Sequence, residues 1–188
     1  ISVRRRLRDA ISHLKPKNVI QTGAGIGHLS AWFFHHFEQE DGLSNFQMIE
    51  EGNRFAVILT RLKERYSSVP ASIVVGTPSL LSCVFKAWNI SKIGEPPMLP
   101  NADAIIVDSI MTRLADDVKS MLPLLNKNGV LFTVEPTPPV GDREEDDPEV
   151  VGFNKWMELI QATNETHHLA FAPLFGGTIV AWIKKVQA

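Results

Sequence analysis

The chain has 188 residues, a formal net charge of −2 and 44% hydrophobic residues. This length and apolar content predict one globular domain with a sizeable core. The near-neutral balance gives no reason to expect nucleic-acid binding, which depends on clustered Lys and Arg. The single cysteine excludes an internal disulfide, and no apolar run reaches the roughly 20 residues of a membrane span. We therefore expect a cytoplasmic protein that binds neither nucleic acid nor a membrane.

The N-terminal segment, residues 1–17, is basic. Its arginines lie close together, at Arg4, Arg5, Arg6 and Arg8. Leu7, Ile11 and Leu14 recur in it at helical spacing, so we predict a short helix whose arginines form a solvated face. A basic arm that binds nucleic acid or a membrane is the alternative.

From residue 18 onward, apolar runs of strand length alternate with longer stretches of helical period, which is typical of βαβ units on a parallel sheet. The predicted strands are 18–22, 46–50, 71–76, 102–108 and 129–134, with helices between them. Two further strand-like runs flank Phe175-Gly176-Gly177, which indicates a β-hairpin and an antiparallel last strand. The sequence thus predicts a single doubly wound, Rossmann-like α/β domain over residues 1–188, with a seven-stranded, mostly parallel sheet.

An acidic, proline-rich loop interrupts this alternation at residues 136–149. It is too polar to be core and too long to be a simple connection. We consider two interpretations equally: a lid or wall of a substrate site, and a solvated excursion.

The stretch VIQTGAGIGHLS, residues 19–30, places glycines at the end of the first strand. Gly23, Gly25 and Gly27 form a G-x-G-x-G turn that allows close approach of the backbone to a ligand. Glu50 ends the second strand, where an acid can accept both hydrogen bonds of a ribose diol. Because ligands of such sheets bind beyond the carboxyl ends of the strands, we predict a nucleotide-type cofactor here.

Two classes of cofactor suit this turn. The dinucleotide fingerprint G-x-G-x-x-G requires glycine at position 28, where the chain has His28, so an NAD(P)-dependent oxidoreductase is the less favoured alternative. The observed spacing, together with the C-terminal hairpin, resembles the class I S-adenosylmethionine-dependent methyltransferases. The run LPLLNKNGVLFTVE and the later HHLAFAPLFGGTIVAWIKK are similar to the family of catechol and caffeoyl-CoA O-methyltransferases.

This resemblance implies S-adenosylmethionine as cofactor, a small methyl acceptor and, by analogy, a homodimer. It implies that Glu50 holds the ribose hydroxyls, that Gly76 and Thr77 lie beside the adenine, and that Asp108 lies at the base of the active site. The implied cofactor-binding residues are Gln21, Gly23, Ala24, Gly25, Gly27, Glu50, Gly76, Thr77 and Asp108.

The sequence departs from that family at polar positions. The family holds a divalent metal with two Asp and one Asn and carries a Lys near the first Asp. Asp108 matches the first metal ligand, but Glu135 replaces the second Asp, Pro136 the Asn and Met111 the Lys. The resemblance therefore implies at most a two-carboxylate Mg²⁺ site of Asp108 and Glu135, which are also the candidate catalytic residues. Gln21 likewise stands where the family has an acid.

Three hypotheses fit these departures. The protein is a methyltransferase that uses another base, such as His28, Glu135 or a residue of the acidic loop; or it binds the cofactor without metal-assisted chemistry; or it is a non-catalytic scaffold. We favour O-methyl transfer to a small hydroxylated molecule.

Overall fold

The computed structural model describes residues 3–185, so residues 1–2 and 186–188 of the predicted domain lie outside the described part. The helices are α1 (Val3–Leu14), α2 (His28–Phe37), α3 (Asn53–Arg65), α4 (Pro78–Ser91), α5 (Met111–Met121) and α6 (Pro148–Thr163), with a 3₁₀ turn at Leu122–Leu124. The strands are β1 (Asn18–Thr22), β2 (Asn45–Glu50), β3 (Ala71–Val75), β4 (Ala102–Val107), β5 (Leu125–Val134), β6 (His167–Leu174) and β7 (Gly177–Lys184). The basic N-terminal segment thus contributes α1.

The strands form one seven-stranded sheet in the order β3-β2-β1-β4-β5-β7-β6. The pairs among β3, β2, β1, β4 and β5 are parallel, whereas β7 is antiparallel to both β5 and β6. The predicted sheet with an antiparallel last strand is therefore confirmed. Because β1 lies between β2 and β4, the order of winding reverses beside it, and the crevice at its carboxyl end is the topological switch point.

Helices cover both faces of the sheet because each face is apolar. Helices α1, α2 and α3 pack on one face, where Phe33, Phe34, Phe37 and Phe46 form a buried aromatic cluster. Helices α4, α5 and α6 pack on the other face. There the rings of Trp156 and Trp182 meet edge to face at 5.6 Å between centroids. The loops at the carboxyl edge of the sheet therefore join elements that are packed into these two cores.

The acidic loop ends where α6 begins. Asp147 caps that helix, since its Oδ1 accepts a hydrogen bond from the Glu149 N–H at 2.8 Å. Arg143 forms ion pairs with both of these carboxylates, at 3.2 and 2.7 Å. The loop is therefore tied to the start of α6. Within residues 3–185, no helix is both long and apolar enough to span a membrane.

Candidate functional site

The glycine turn follows β1 directly at the switch point. Gly23, Gly25 and Gly27 have φ values of +67°, +53° and +82°, a left-handed conformation that glycine adopts without steric cost. The Gly23 N–H donates to the carbonyl oxygen of Ile49 at 3.1 Å. A Cβ on Gly23 would lie only 1.8 Å from the carbonyl oxygen of Asp108. The ends of β1 and β4 therefore touch through their backbones, and only glycine permits that contact.

Glu50 connects the glycine turn to the loop that follows β2. Its carboxylate is buried, with 8% of the residue exposed. Oε2 accepts the Gly25 N–H at 2.6 Å and Oε1 accepts the Gly52 N–H at 3.1 Å. Such bonds to a carboxylate are stronger than those between neutral groups. Each carboxylate oxygen has a further lone pair. Glu50 can therefore hold the turn and still accept hydrogen bonds from hydroxyl groups of a ligand.

A cavity of about 400 Å³ opens at the switch point, and we call it the switch-point cavity. Four of the predicted cofactor-binding residues line it: Gly23, Glu50, Gly76 and Asp108. They come from the ends of four different strands. The cavity walls also include residues that the sequence did not indicate, namely Phe55, Pro78, Ser109, Ile110, Arg113 and Asp117.

Asp117 is a buried acid in the wall of the switch-point cavity, with 4% of the residue exposed. Its Oδ2 accepts the Ser109 hydroxyl at 2.6 Å. Burial raises the pKa of Asp117, and the hydrogen bond from Ser109 and the nearby Arg113 oppose part of that rise. Arg113 forms an ion pair with Glu51, which joins α5 to the loop after β2. One sequence signal could have revealed Asp117: it stands within the buried stripe of α5.

A second, larger cavity of about 600 Å³ lies on the other side of Asp108, and we call it the apolar cavity. Its walls come from the start of α1, the ends of β4 and β5 and the turn between β6 and β7. They are mainly aliphatic and aromatic, with Val3, Leu7, Leu29, Val107, Val134 and Phe175. Arg4 and Asp108 are its charged lining residues in the described part of the chain.

Asp108 borders both cavities. Its backbone N–H donates to the carbonyl oxygen of Thr22 at 3.2 Å, which fixes the end of β4 beside β1. The side chain faces open space, yet enough protein surrounds it that loss of hydration raises its pKa, and the positive charge of Arg4 opposes this rise. The geometry therefore places one carboxylate between a cavity that several charged side chains line and a cavity with mainly aliphatic and aromatic walls.

Several solved structures share this fold. An O-methyltransferase from Bacillus cereus, in complex with S-adenosylhomocysteine (SAH), superposes with a TM-score of 0.66 at 17% identity, over 98% of this chain and 82% of that one. The O-methyltransferase TomG from Streptomyces achromogenes, in complex with S-adenosylmethionine, gives 0.66 at 15% identity over the same shares. An SAH-bound methyltransferase from Podospora anserina gives 0.68 at 16% identity, over 97% of this chain and 78% of that one.

The chain has the class I methyltransferase fold. These structures confirm the predicted fold. At 15–17% identity the similarity concerns the architecture alone. No family model matches the sequence, and no curated protein sequence is significantly similar to it.

Other predicted cofactor residues of this methyltransferase fold serve the scaffold. Gly27 caps α2, and a Cβ there would lie 2.9 Å from the Leu62 side chain. Ala24 is buried in the core beneath α2. Thr77 caps α4, since its hydroxyl oxygen accepts the Leu80 N–H at 3.2 Å. Their contacts with a cofactor stay predictions.

Gln21 is fully buried at the end of β1. Its Oε1 accepts the Ser30 hydroxyl at 2.9 Å, which links β1 to α2. Its Nε2 has no hydrogen-bond partner among the described residues. Because Gln21 lines neither cavity, this unpaired donor is a polar group that a buried water molecule would satisfy.

The predicted magnesium site is not supported by this structure. Glu135 lines neither cavity, and its backbone N–H donates to Thr178 at 2.8 Å. Pro136, beside it, has no side-chain oxygen. Within residues 3–185, no group of three or more His, Cys, Asp or Glu could hold a metal ion. Mg²⁺ can be held by one or two carboxylates together with its own water molecules, but Asp108 and Glu135 do not border a common cavity, so this pair does not fit it.

Proposed function

We propose that this protein is an S-adenosylmethionine-dependent methyltransferase that transfers the methyl group in line to an oxygen of a small molecule. The observation that carries the proposal is the meeting of the two cavities at Asp108. A cavity that holds a nucleoside and a cavity that holds an acceptor must share a boundary if a group is to pass directly between them. The O-methyltransferases of the same fold that hold SAH or S-adenosylmethionine support this assignment.

The residues of the switch-point cavity fit the cofactor. Gly23 lines this cavity, and the absence of a Cβ there lets the ends of β1 and β4 meet at the cavity wall. The buried carboxylate of Glu50 can accept hydrogen bonds from the two hydroxyl groups of a ribose. When bound, the cofactor supplies a methyl group on a positively charged sulfur, which is an electrophile.

The chain's own residues then orient the reaction. The glycine turn and Glu50 would hold the nucleoside end of the cofactor, and Asp108 lies at the boundary with the apolar cavity, where the acceptor would bind. The aliphatic walls of that cavity, such as Leu7 and Leu29, exclude water from the acceptor. Holding both partners in line accelerates transfer because their relative motion is already restricted. No step in this scheme requires a metal ion.

A second candidate function is cofactor binding without catalysis. The observation in its favour is that Met111 and Pro136 stand where the resembled family has a Lys and an Asn. A cytoplasmic location and a homodimer are further proposals that come from the sequence alone.

A thermal-shift titration with S-adenosylmethionine, SAH and NAD, each with and without Mg²⁺, tests the proposal. A ligand at 100 times its Kd stabilises the folded state by about 2.7 kcal/mol, which is a Tm increase of about 5–11 °C for a domain of this size. We expect this response to both adenosyl compounds and no effect of Mg²⁺ on it.

The Glu50→Gln variant tests the binding residue, since SAH should raise its Tm much less than it raises the Tm of the parent protein. A response to NAD alone would favour the oxidoreductase instead. The absence of any response to SAH at about 1 mM, a concentration that saturates sites of micromolar Kd, would rule out the enzyme. Binding of SAH with no methyl transfer to any acceptor would favour the non-catalytic candidate.

A further inference from the structure

We infer that the methyl acceptor is an apolar carboxylic acid, which Arg4 holds by its carboxylate in the apolar cavity for conversion to its methyl ester. This inference rests on the proposed function, because it names the acceptor of that same site. It depends on the two charged residues that line the cavity, Arg4 and Asp108, and on the absence of a strong base among the described lining residues.

The first step is the chemistry that the acceptor oxygen needs. A phenol ionises near pH 10, so it requires a strong base or a cation to become a nucleophile at neutral pH. Among the described residues that line the apolar cavity, the titratable side chains are Arg4 and Asp108. Arginine stays protonated and a carboxylate is a weak base. A carboxylic acid, in contrast, loses its proton near pH 4 and enters the site already as an anion.

The second step is the availability of Arg4. It lies in the first turn of α1, and its positive charge acts on Asp108 across the cavity. Arg8, one turn further along, pairs with Asp9 and lies 5.3 Å from the centre of the Trp32 ring. Within the described part of the chain, Arg4 forms no hydrogen bond or ion pair.

The guanidinium of Arg4 suits a carboxylate ligand. Its planar fork of five N–H donors matches a carboxylate in a bidentate pair. With five donors it can bind the acceptor and also face Asp108, which reduces the repulsion between the two carboxylates. A bound cofactor would supply a positively charged sulfur, which would add to the attraction of Arg4 for the acceptor carboxylate.

The third step concerns the apolar part of the acceptor, behind its carboxylate. Leu7 and Leu29 are at most 4% exposed, and Ile106 and Val107 1% each, so this part of the cavity wall is firmly packed. Phe175 lies in the turn between β6 and β7 and is 93% exposed, which places an aromatic ring at the cavity rim. Such walls fit an alkyl chain or an aromatic ring behind the carboxylate.

The transfer balances without an added reactant. A lone pair of a carboxylate oxygen forms the new bond to the methyl carbon, and the electron pair of the carbon–sulfur bond passes to sulfur. The sulfonium becomes a neutral thioether, the carboxylate becomes a neutral ester, and no proton moves. The ester no longer attracts Arg4, which favours release of the product.

The experiment measures binding and methylation with matched pairs of probes, in the presence of SAH or of radiolabelled S-adenosylmethionine. The pairs are decanoate with decan-1-ol and 4-phenylbutyrate with 4-phenylbutan-1-ol, and 4-propylphenol serves as the phenol. For the SAH-bound protein we expect the acids to bind at least about tenfold more tightly than their alcohols, the size typical of a charge-assisted hydrogen bond. We expect labelled methyl ester from the acids alone.

Arg4→Gln should abolish this preference and the ester product, while the affinity for SAH stays unchanged. Arg6→Gln is the matched control, because Arg6 is an exposed arginine of the same helix that lines neither cavity. It should behave like the parent protein. Unchanged SAH affinity also shows that each variant is folded.

The two proposals fail in different ways. If SAH does not bind, the proposed function is wrong and so is its acceptor. If SAH binds but the acids bind no better than their alcohols, or not at all up to about 5 mM, only the carboxylate proposal is overturned. Methylation of the phenol in preference to the acids, or an acid preference that survives in Arg4→Gln, would also overturn it.

Discussion

Replacing Gly23 with alanine should destabilise the protein strongly, because the new methyl group would meet the backbone of β4. The alanine Cβ would lie 1.8 Å from the carbonyl oxygen of Asp108, and Cβ atoms do not come closer than 3.0 Å to such an atom. The ends of β1 and β4 must therefore separate by about 1.2 Å, the difference between these distances. The left-handed conformation costs a non-glycine residue about 1–2 kcal/mol, and forced repacking adds about 1–3 kcal/mol.

The expected total for Gly23→Ala is about 2–5 kcal/mol, which lowers the Tm by about 4–20 °C in a domain of this size. Gly25→Ala is the matched variant, since Gly25 has φ of +53° but its Cβ would meet nothing nearer than 4.0 Å. It should lose only the conformational part, about 1–2 kcal/mol. Thermal and urea unfolding of both variants measure the difference. Equal stability of the two would refute the backbone contact at the switch point.

Three smaller changes separate roles within the site. Glu50→Gln should weaken SAH binding by about 10-fold to 100-fold, as measured by calorimetry, because hydrogen bonds to a charged group are lost; unchanged affinity would remove Glu50 from the ribose. Thr77→Ala should cost about 0.5–2 kcal/mol of stability through loss of the α4 cap and leave SAH affinity unchanged, whereas a drop in affinity alone would make Thr77 a cofactor contact. Asp117→Asn should raise the Tm at neutral pH. Burial raises the pKa of Asp117, so the native state binds its proton more readily than the unfolded state, and the cost of burying the charge is absent below the unfolded pKa of about 4. The stabilisation of the variant should therefore shrink as the pH falls through the folded pKa to about 4, and a gain independent of pH would contradict this reasoning.

The fold was predictable because its determinants are local or periodic. The strand-length runs, the turn at Gly23, Gly25 and Gly27, and the pair Gly176-Gly177 each specify short-range geometry. In a parallel sheet the carboxyl ends of neighbouring strands meet at one edge. Glu50 and Asp108 could therefore be placed at the same cavity from the sequence alone.

The rest of the site depends on contacts between distant parts of the chain. Arg4 belongs to an arginine cluster that indicates a solvated face or a basic arm, and α1 must pack against α2 and β7 before Arg4 borders a cavity. Asp117 and Ser109 are only eight residues apart, but their hydrogen bond is not evident from the sequence pattern. Thr77 was predicted at the end of the third strand, but β3 ends at Val75 and the Thr77 hydroxyl caps α4. Side-chain direction at a strand end was not evident from spacing.

The metal prediction was limited in the same way. Asp108 and Glu135 end neighbouring strands, which made a shared metal plausible from the sequence order. In the structure, Asp108 borders both cavities and Glu135 borders neither. Adjacent strand ends do not guarantee that two carboxylates face one ligand.

A crystal structure of the complex with SAH tests the assignment of the switch-point cavity most directly. We expect the adenosine in that cavity, with its ribose hydroxyls on the carboxylate of Glu50 and its sulfur directed at Asp108 and the apolar cavity. SAH bound elsewhere on the molecule, or with its sulfur turned away from the apolar cavity, would show that the two cavities do not form one methyl-transfer site.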